Sequence, residues 1–364
     1  MIFSQEIRIL HLMHSKFQFS LAALILIFFS PTAHAAGNAC IDWPKTMAQY
    51  ELDHPSAGTV IHIQSFSDYT KKGGDEWLSF GIRDYLTDLL QTGRGLKVLS
   101  GTALAYGALT YPSDYTLGGM YKHTDNLLQI FISINDKAGT LIRQIEVAVP
   151  YPENRLFFKK IADAAKQIME VAGTKPDKKA LQLQSEATAS TRAYESYSKG
   201  REALESFSIG SVELASMWFT DVKRIDYRSP LGYLGMVDLY SFLGFYHKQR
   251  REPFGIYFQK AETEINEMRR LAKEKPPDAT LSKSQDGKVA NRFLQGNIAF
   301  SEALAASQVE NWDSAVQSLK RAVELVPEDA ISWYYLAQNY LKLGNSVLSS
   351  EAMQKARAIN GCIE

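Results

Sequence analysis

Residues 58–66, GTVIHIQSF, alternate apolar and polar positions and are rich in β-branched side chains, which predicts a strand. A polar stretch, 68–74, then leads into a 3.6-residue period over about 75–92. Leu78, Ile82, Tyr85, Leu86 and Leu89 share one face of that helix, and Gly93 and Gly95 end it. Residues 96–99 read as a short strand. Leu128, Ile130, Ile132 and Ile134 alternate with Gln129, Phe131, Ser133 and Asn135, and 135–139 make a turn. Leu141, Arg143, Ile145, Val147 and Val149 then return at the same period, so an antiparallel hairpin with one buried face is expected. A second amphipathic helix covers about 153–172, with Leu156, Ile161, Ala164, Ala165, Ile168 and Val171 inward. The order β-α-β-β-β-α predicts an α+β domain with helices laid on a sheet.

Strand signals almost vanish after residue 173. Residues 174–188 are polar, contain Pro176 and read as a linker, with a partly helical stretch as the alternative. Beyond it the apolar period is helical throughout. Near the C-terminus Trp333, Leu336, Ala337, Tyr340, Met353 and Ala356 fall on tetratricopeptide spacing, and Ala315, Leu319, Ala322 and Pro327 match the second helix of the preceding copy. Small residues there let paired helices cross closely, and large ones fill the gaps between turns. Degenerate copies open at Ala193, Tyr233 and Gly296, and residues 273–287, with Pro276-Pro277, form a loop between hairpins. About four helical hairpins, two of them stretched, would stack into an all-α solenoid with a concave groove suited to segments of other proteins. Most of the abundant aromatics here are expected to be packing residues. Tyr334, next to the inward Trp333, is the candidate groove residue. His247, Lys248, Arg250 and Arg251 form a short basic stretch that could meet an acidic partner or an anionic lipid headgroup.

The first half carries a family resemblance. The stretch IQSFSDYTKKGGDEWLSFGIRDYLTDLLQTGRGLKVLSG holds Phe66, Phe80-Gly81-Ile82, Leu86, Leu90 and Gly95-Leu96-Lys97-Val98-Leu99-Ser100, and Asp114-Tyr115-Thr116-Leu117-Gly118-Gly119 follows. Over residues 58–172 this resembles the α/β module of the TolB N-terminal domain and of CsgG and FlgO proteins, departing from it at Gln64, where the family has proline. The segment opening at Ala193 resembles the first repeat of TolB-like/tetratricopeptide fusions. The resemblance implies work at the cell envelope: secretion, assembly of surface structures or envelope signalling.

Composition narrows the function classes. The 364 residues carry 40 basic and 40 acidic side chains, so nucleic acid is not an expected partner. Phe19 to Phe29 is an uncharged apolar run, preceded by Arg8 and Lys16 and followed by Pro31 and the small-residue site Ala33-His34-Ala35. That order predicts a secretory signal over 1–35, with Met13 as an alternative start. Without Arg8, Lys16 and Glu6, 38 basic and 39 acidic residues remain. No later apolar run could span a membrane. Gly37-Asn38-Ala39 lacks the usual lipoprotein pattern, so Cys40 is not expected to be acylated. The predicted divisions are a 36–173 α/β domain, a 174–188 linker and a 189–364 repeat domain.

No phosphate-binding loop, zinc motif, nucleophile elbow or dinucleotide fingerprint occurs. No cofactor or metal is expected. His54, His62, His123 and His247 are scattered, and Asp75 and Glu76 suit a helix N-terminus better than catalysis. The sequence therefore predicts an exported, periplasmic, non-enzymatic scaffold that binds envelope proteins in its groove. A periplasmic sensor acting on a separate membrane effector is the alternative, and the oligomeric state is left open. An oxidising compartment permits a disulfide between Cys40 and Cys362, which would tie the two ends of the exported chain together.

Overall fold

The computed structural model describes residues 58–70, 74–100, 113–124, 126–151, 156–205, 208–273 and 292–363. The export segment and Cys40 lie outside the described residues. β1 (Thr59–Asp68) runs into α1 (Trp77–Leu90), then β2 (Leu96–Ser100), β3 (Tyr115–Thr124), β4 (Leu127–Asp136), β5 (Leu141–Pro150) and α2 (Leu156–Val171). The sheet order is β2-β1-β3-β4-β5. β1 is parallel to both β2 and β3, while β3, β4 and β5 are successively antiparallel. This is the expected α+β arrangement. One face of the sheet is covered: Ile61, Ile63, Leu117, Leu128, Ile130, Ile132, Ile145 and Val147 point into the layer under α1 and α2, and the alternation breaks at register shifts between Ile63 and Phe66 and at Ile134/Asn135. β3 needs Gly119 there, since a Cβ would collide with the Phe131 carbonyl of β4 and the Phe66 ring.

Residues 174–188 include a helix, α3 (Lys178–Ser185), whose Leu181 is buried in the same core. Pro176 bridges to Gly93, and Asp177 N–H donates to the Thr92 carbonyl. The segment is therefore fastened to the end of α1.

The rest of the chain is helical: α4 (Thr191–Glu205), α5 (Ile209–Ile225), α6 (Pro230–Gln249), α7 (Gly255–Lys273), α8 (Arg292–Gln308), α9 (Trp312–Leu325), α10 (Ala330–Lys342) and α11 (Ser346–Ile359). They pair in sequence as four hairpins. Close crossing is visible at Phe219 of α5, which lies between Gly200 of α4 and Gly235 of α6; any side chain at either glycine would strike its ring. Asn311, Asp329 and Asn345 cap α9, α10 and α11 through side-chain acceptors. Among the described residues no helix is long and apolar enough to cross a membrane.

Two features depart from a uniform solenoid. First, the α/β layer and α4, α5 and α6 share one continuous apolar core. α1 lies between the sheet and α4, and the seam carries two crossed ion pairs. Arg83 donates to Glu205 at 2.8 Å, and Arg201 reaches Asp84 at 3.0 Å. Second, α7 and α8 barely touch, and the α8–α11 core is separate. The C-terminal end of α6 bridges the two stacks instead, contacting both α8 and α10.

Candidate interaction surface

The turn from α6 to α7 carries the basic stretch, and its geometry explains which side chains face solvent. Glu252 N–H donates to the His247 carbonyl, and Arg251 N–H donates to that of Lys248, the hydrogen-bond pair of a Schellman motif. Glycine usually occupies the left-handed position. Here Arg251 holds it, with φ 58°. Its guanidinium lies 5.5 Å from the centre of the Tyr334 ring, within cation–π range. The two residues are far apart in sequence, and the fold brings them together.

The remaining charges of the patch are largely spent on one another. Glu252 accepts from Arg250 at 2.8 Å with one carboxylate oxygen, and its other oxygen lies 2.7 Å from His247 Nδ1. Burial alone would raise the Glu252 pKa, but hydrogen bonds from Arg250 and His247 outweigh it and hold the group below the usual carboxylate range. The His247 ring stacks on Tyr257 at 4.9 Å, and Arg250 lies over Tyr246.

Lys248 corrects the sequence expectation. It is closed to solvent, because it falls on the inward face of α6 with Ser241, Gly244 and Phe245. Its Nζ donates to Asp329 Oδ2 at 2.6 Å, Asn297 Oδ1 at 3.1 Å and Ser332 Oγ at 3.1 Å, and it sits 3.6 Å from the centre of the Phe300 ring. All three ammonium protons are used, so this lysine offers nothing to a partner. Gln249 adds a bond to Asp329 Oδ1 at 2.6 Å. Three helices of the two stacks meet at this buried polar knot.

Tyr334 is half-buried, not open. It packs on the C-terminal core and edge-on to Tyr335, with Arg251 above it. Of the repeat positions, Ala315, Leu319, Ala322, Leu336, Ala337, Tyr340 and Ala356 are buried. Pro327, Trp333 and Met353 are half-buried, and the Pro327 carbonyl accepts from Trp333 Nε1 at 2.8 Å. Cys362 lies just past α11, held by its N–H to Asn360 Oδ1 at 3.0 Å, and no described cysteine is free.

A second cluster was not legible as one. Asp75 Oδ2 lies 2.6 Å from His123 Nδ1, and Asp75 Oδ1 accepts from the Tyr151 hydroxyl at 2.8 Å. It stands at the carboxyl ends of β1 and β3. His123 Nε2 is buried without a hydrogen-bond partner. Burial first, then the bond to Asp75, pushes the Tyr151 hydroxyl pKa up, so it remains a donor. The triad ties the start of α1 to the ends of β3 and β5. Among the described residues no group of three His, Cys, Asp or Glu could hold a metal.

No family model matches this chain, and no curated protein does. Solved structures give low-scoring likenesses. The MamA RS-1 ArsTM double mutant is 18% identical at a TM-score of 0.26, covering 46% of this chain and 94% of that one. The APC/C hetero-tetramer Cut9-Hcn1 is 15% identical at 0.27, covering 56% of this chain and 50% of that chain. The Chs5-Chs6 exomer cargo adaptor complex bound to a portion of Chs3 is 13% identical at 0.22, covering 64% of this chain and 40% of that chain. With scores this low none of them carries an argument about this chain, whose architecture rests on its own described helices and strands.

Proposed function

We propose that the chain is an exported, non-enzymatic interaction protein that works at the cell envelope as a scaffold. In this reading residues 1–35 are removed on export, and the 36–173 region serves as a TolB-like module docked to its own repeat domain. Envelope proteins would be held along the hairpins. The observation that carries the reading is the joining of α4, α5 and α6 to the α/β layer through one apolar core. That union presents two unlike surfaces on one body, as a scaffold between two partners requires. Arg251 and Tyr334 supply a planar cation on an aromatic ring, a combination suited to recognition surfaces. The sensor reading keeps the same surfaces and adds a membrane effector as the partner.

The test combines N-terminal sequencing of the chain from periplasmic extract with crosslinking there. A mature start at Ala36, and a protein crosslinked to wild type but lost with Arg251→Glu and Tyr334→Ala, are expected. A chain retained in the cytoplasm would refute export. Hydrolytic turnover by the purified protein without any crosslinked partner would refute the scaffold.

A further inference from the structure

The joint between the two helical stacks differs in kind from the seam between the α/β layer and α4. That seam is an apolar core, in which Tyr194 meets Trp77, Tyr85 and Phe158. At the joint the last turn of α6 and the turn after it sit between α8 and α10. The centre is polar: Lys248, Gln249, Asn297, Asp329 and Ser332 are all buried there. Among the described residues, Phe254 is the one outside α8–α11 that packs on their core, 6.2 Å from the Phe300 ring, and it is only half-buried. Arg251 over Tyr334 closes the rim.

We propose that this joint is a hinge on which α8–α11 swings as a rigid unit, parting Lys248 from Asp329 and widening the gap between α7 and α8 while both stacks stay folded. Small polar interfaces within a chain permit such motion, whereas large apolar ones resist it. Opening an apolar seam costs about 25 cal/mol per Å² of surface, with nothing to offset it. An ion pair in a closed joint has already lost its hydration, and parting restores water to both charges. That gain offsets much of the attraction lost, so the polar centre opposes opening less than an apolar seam of the same area would. Gln249 Oε1 is also buried in the closed joint without a hydrogen-bond partner, a cost of closure that opening removes.

The parts that swing are built to survive it. Asp329 Oδ1 accepts from the Ser332 N–H at 3.1 Å, so α10 keeps its N-cap when Lys248 leaves. The α8–α11 core is separate from the cores on the other side, so Phe254 is the apolar contact that opening breaks. The hinge goes beyond the scaffold reading and does not rest on it.

Lys248 Nζ is closed to solvent, so an acylating reagent reaches it only through an opening. The full-length exported chain is treated with N-hydroxysuccinimidyl acetate at rising urea below the unfolding transition, and Lys248 is read by peptide mass spectrometry. Acylation through the hinge is expected to show a urea slope under about a third of that for global unfolding, since the slope scales with the surface exposed. Arg251→Ala, at the rim, should speed acylation about threefold. Ala303→Cys, buried in the C-terminal core, should stay closed to a thiol reagent, and amide exchange should show the last turn of α6 protected. Acylation with the same slope as global unfolding would overturn the hinge. Thiol labelling of Ala303→Cys in step with Lys248 would also overturn it, because the stack would then be unfolding. Loss of amide protection in α6 in step with acylation would do the same, because the helix end would then be fraying.

Discussion

Lys248 Nζ donates to Asp329 Oδ2 across 2.6 Å, and neither side chain reaches solvent. The pair links α6 to the N-cap of α10, so it joins the two helical stacks where their apolar cores are separate. Breaking a buried pair by removing one partner strands the other charge, at a cost of about 3–5 kcal/mol. Lys248→Ala is expected to lose that much in urea denaturation. Lys248→Met with Asp329→Leu should lose less than Lys248→Ala alone, since no bare charge remains buried. A double variant less stable than the single one would show that the knot does not act as a charge pair.

The same carboxylate gives a pH dependence with a definite sign. Burial would raise the Asp329 pKa, but the Lys248 charge and the bonds from Lys248 and Ser332 outweigh it and depress it. The unfolded chain takes up this proton near pH ~4, the folded chain only below that. The stabilisation is therefore fully present above about pH 4 and is lost as pH falls through the folded value. Melting temperatures measured down that range should fall more steeply for wild type than for Asp329→Asn, which retains a capping oxygen but does not titrate. Parallel curves would contradict the assignment.

Tyr194 shows why the α/β layer and the first hairpin belong to one unit. Its ring meets Tyr85 at 5.3 Å, Phe158 at 5.5 Å and Trp77 at 6.4 Å, so residues from α1, α2 and α4 close around it. Its hydroxyl lies 3.4 Å from Asp84, which Arg201 also engages. Truncating a large buried aromatic costs about 3–5 kcal/mol. Calorimetry should show the sheet and α4–α6 melting together in wild type, and Tyr194→Ala should separate the two. If the variant melts in one transition at an unchanged temperature, the seam is not what couples them.

Much of this was legible in the sequence, and the gaps have physical causes. Period-2 and period-3.6 patterns are local, so β1, α1, the β4–β5 hairpin and the C-terminal helices could be read directly. Lys248, inside a basic stretch, reads as exposed because charge is usually solvated. Its position one helical repeat after Ser241 and on the side of Phe245 already put it inward. Asp329, 81 residues later, is the partner that makes burial tolerable, and separation of that length leaves no local signal. The Asp75–His123–Tyr151 cluster leaves no local signal for the same reason: its members come from three strand and helix ends. Residues 174–188 leave linker and partial helix open because short helices with few apolar residues have little pattern, and one leucine, Leu181, is enough to seat α3.

Two turns among the described residues place a charged residue where glycine is usual. Glu310, with φ 56°, and Arg251, with φ 58°, both sit in the left-handed region just past a helix. Gly344 holds the equivalent place after α10. Left-handed backbone costs a residue with a Cβ about 1–2 kcal/mol. Glu310→Gly should therefore stabilise the protein by about 1 kcal/mol in urea unfolding. Arg251→Gly should gain less, because it also removes the guanidinium from the Tyr334 ring. Equal gains at both positions would mean that the Arg251–Tyr334 contact contributes nothing to folding.

The two cysteines give the last expectation. Cys362 is fixed by the C-terminal turn: Ile363 is buried, its carbonyl accepts from Arg357 at 3.3 Å, and Cys362 N–H is bonded to Asn360. A cysteine held this way can be bridged to Cys40 only if the start of the exported chain returns to the last helix. The loop so closed is long, and in the chain-entropy model it restrains the unfolded state by about 5–6 kcal/mol, an upper bound if native geometry is strained. Thiol titration of native, unreduced protein should find no free cysteine. Reduction should lower the melting temperature, and Cys40→Ser with Cys362→Ser should match the reduced wild type. Two reactive thiols in the native protein would rule out the bridge and leave the ends of the chain untied.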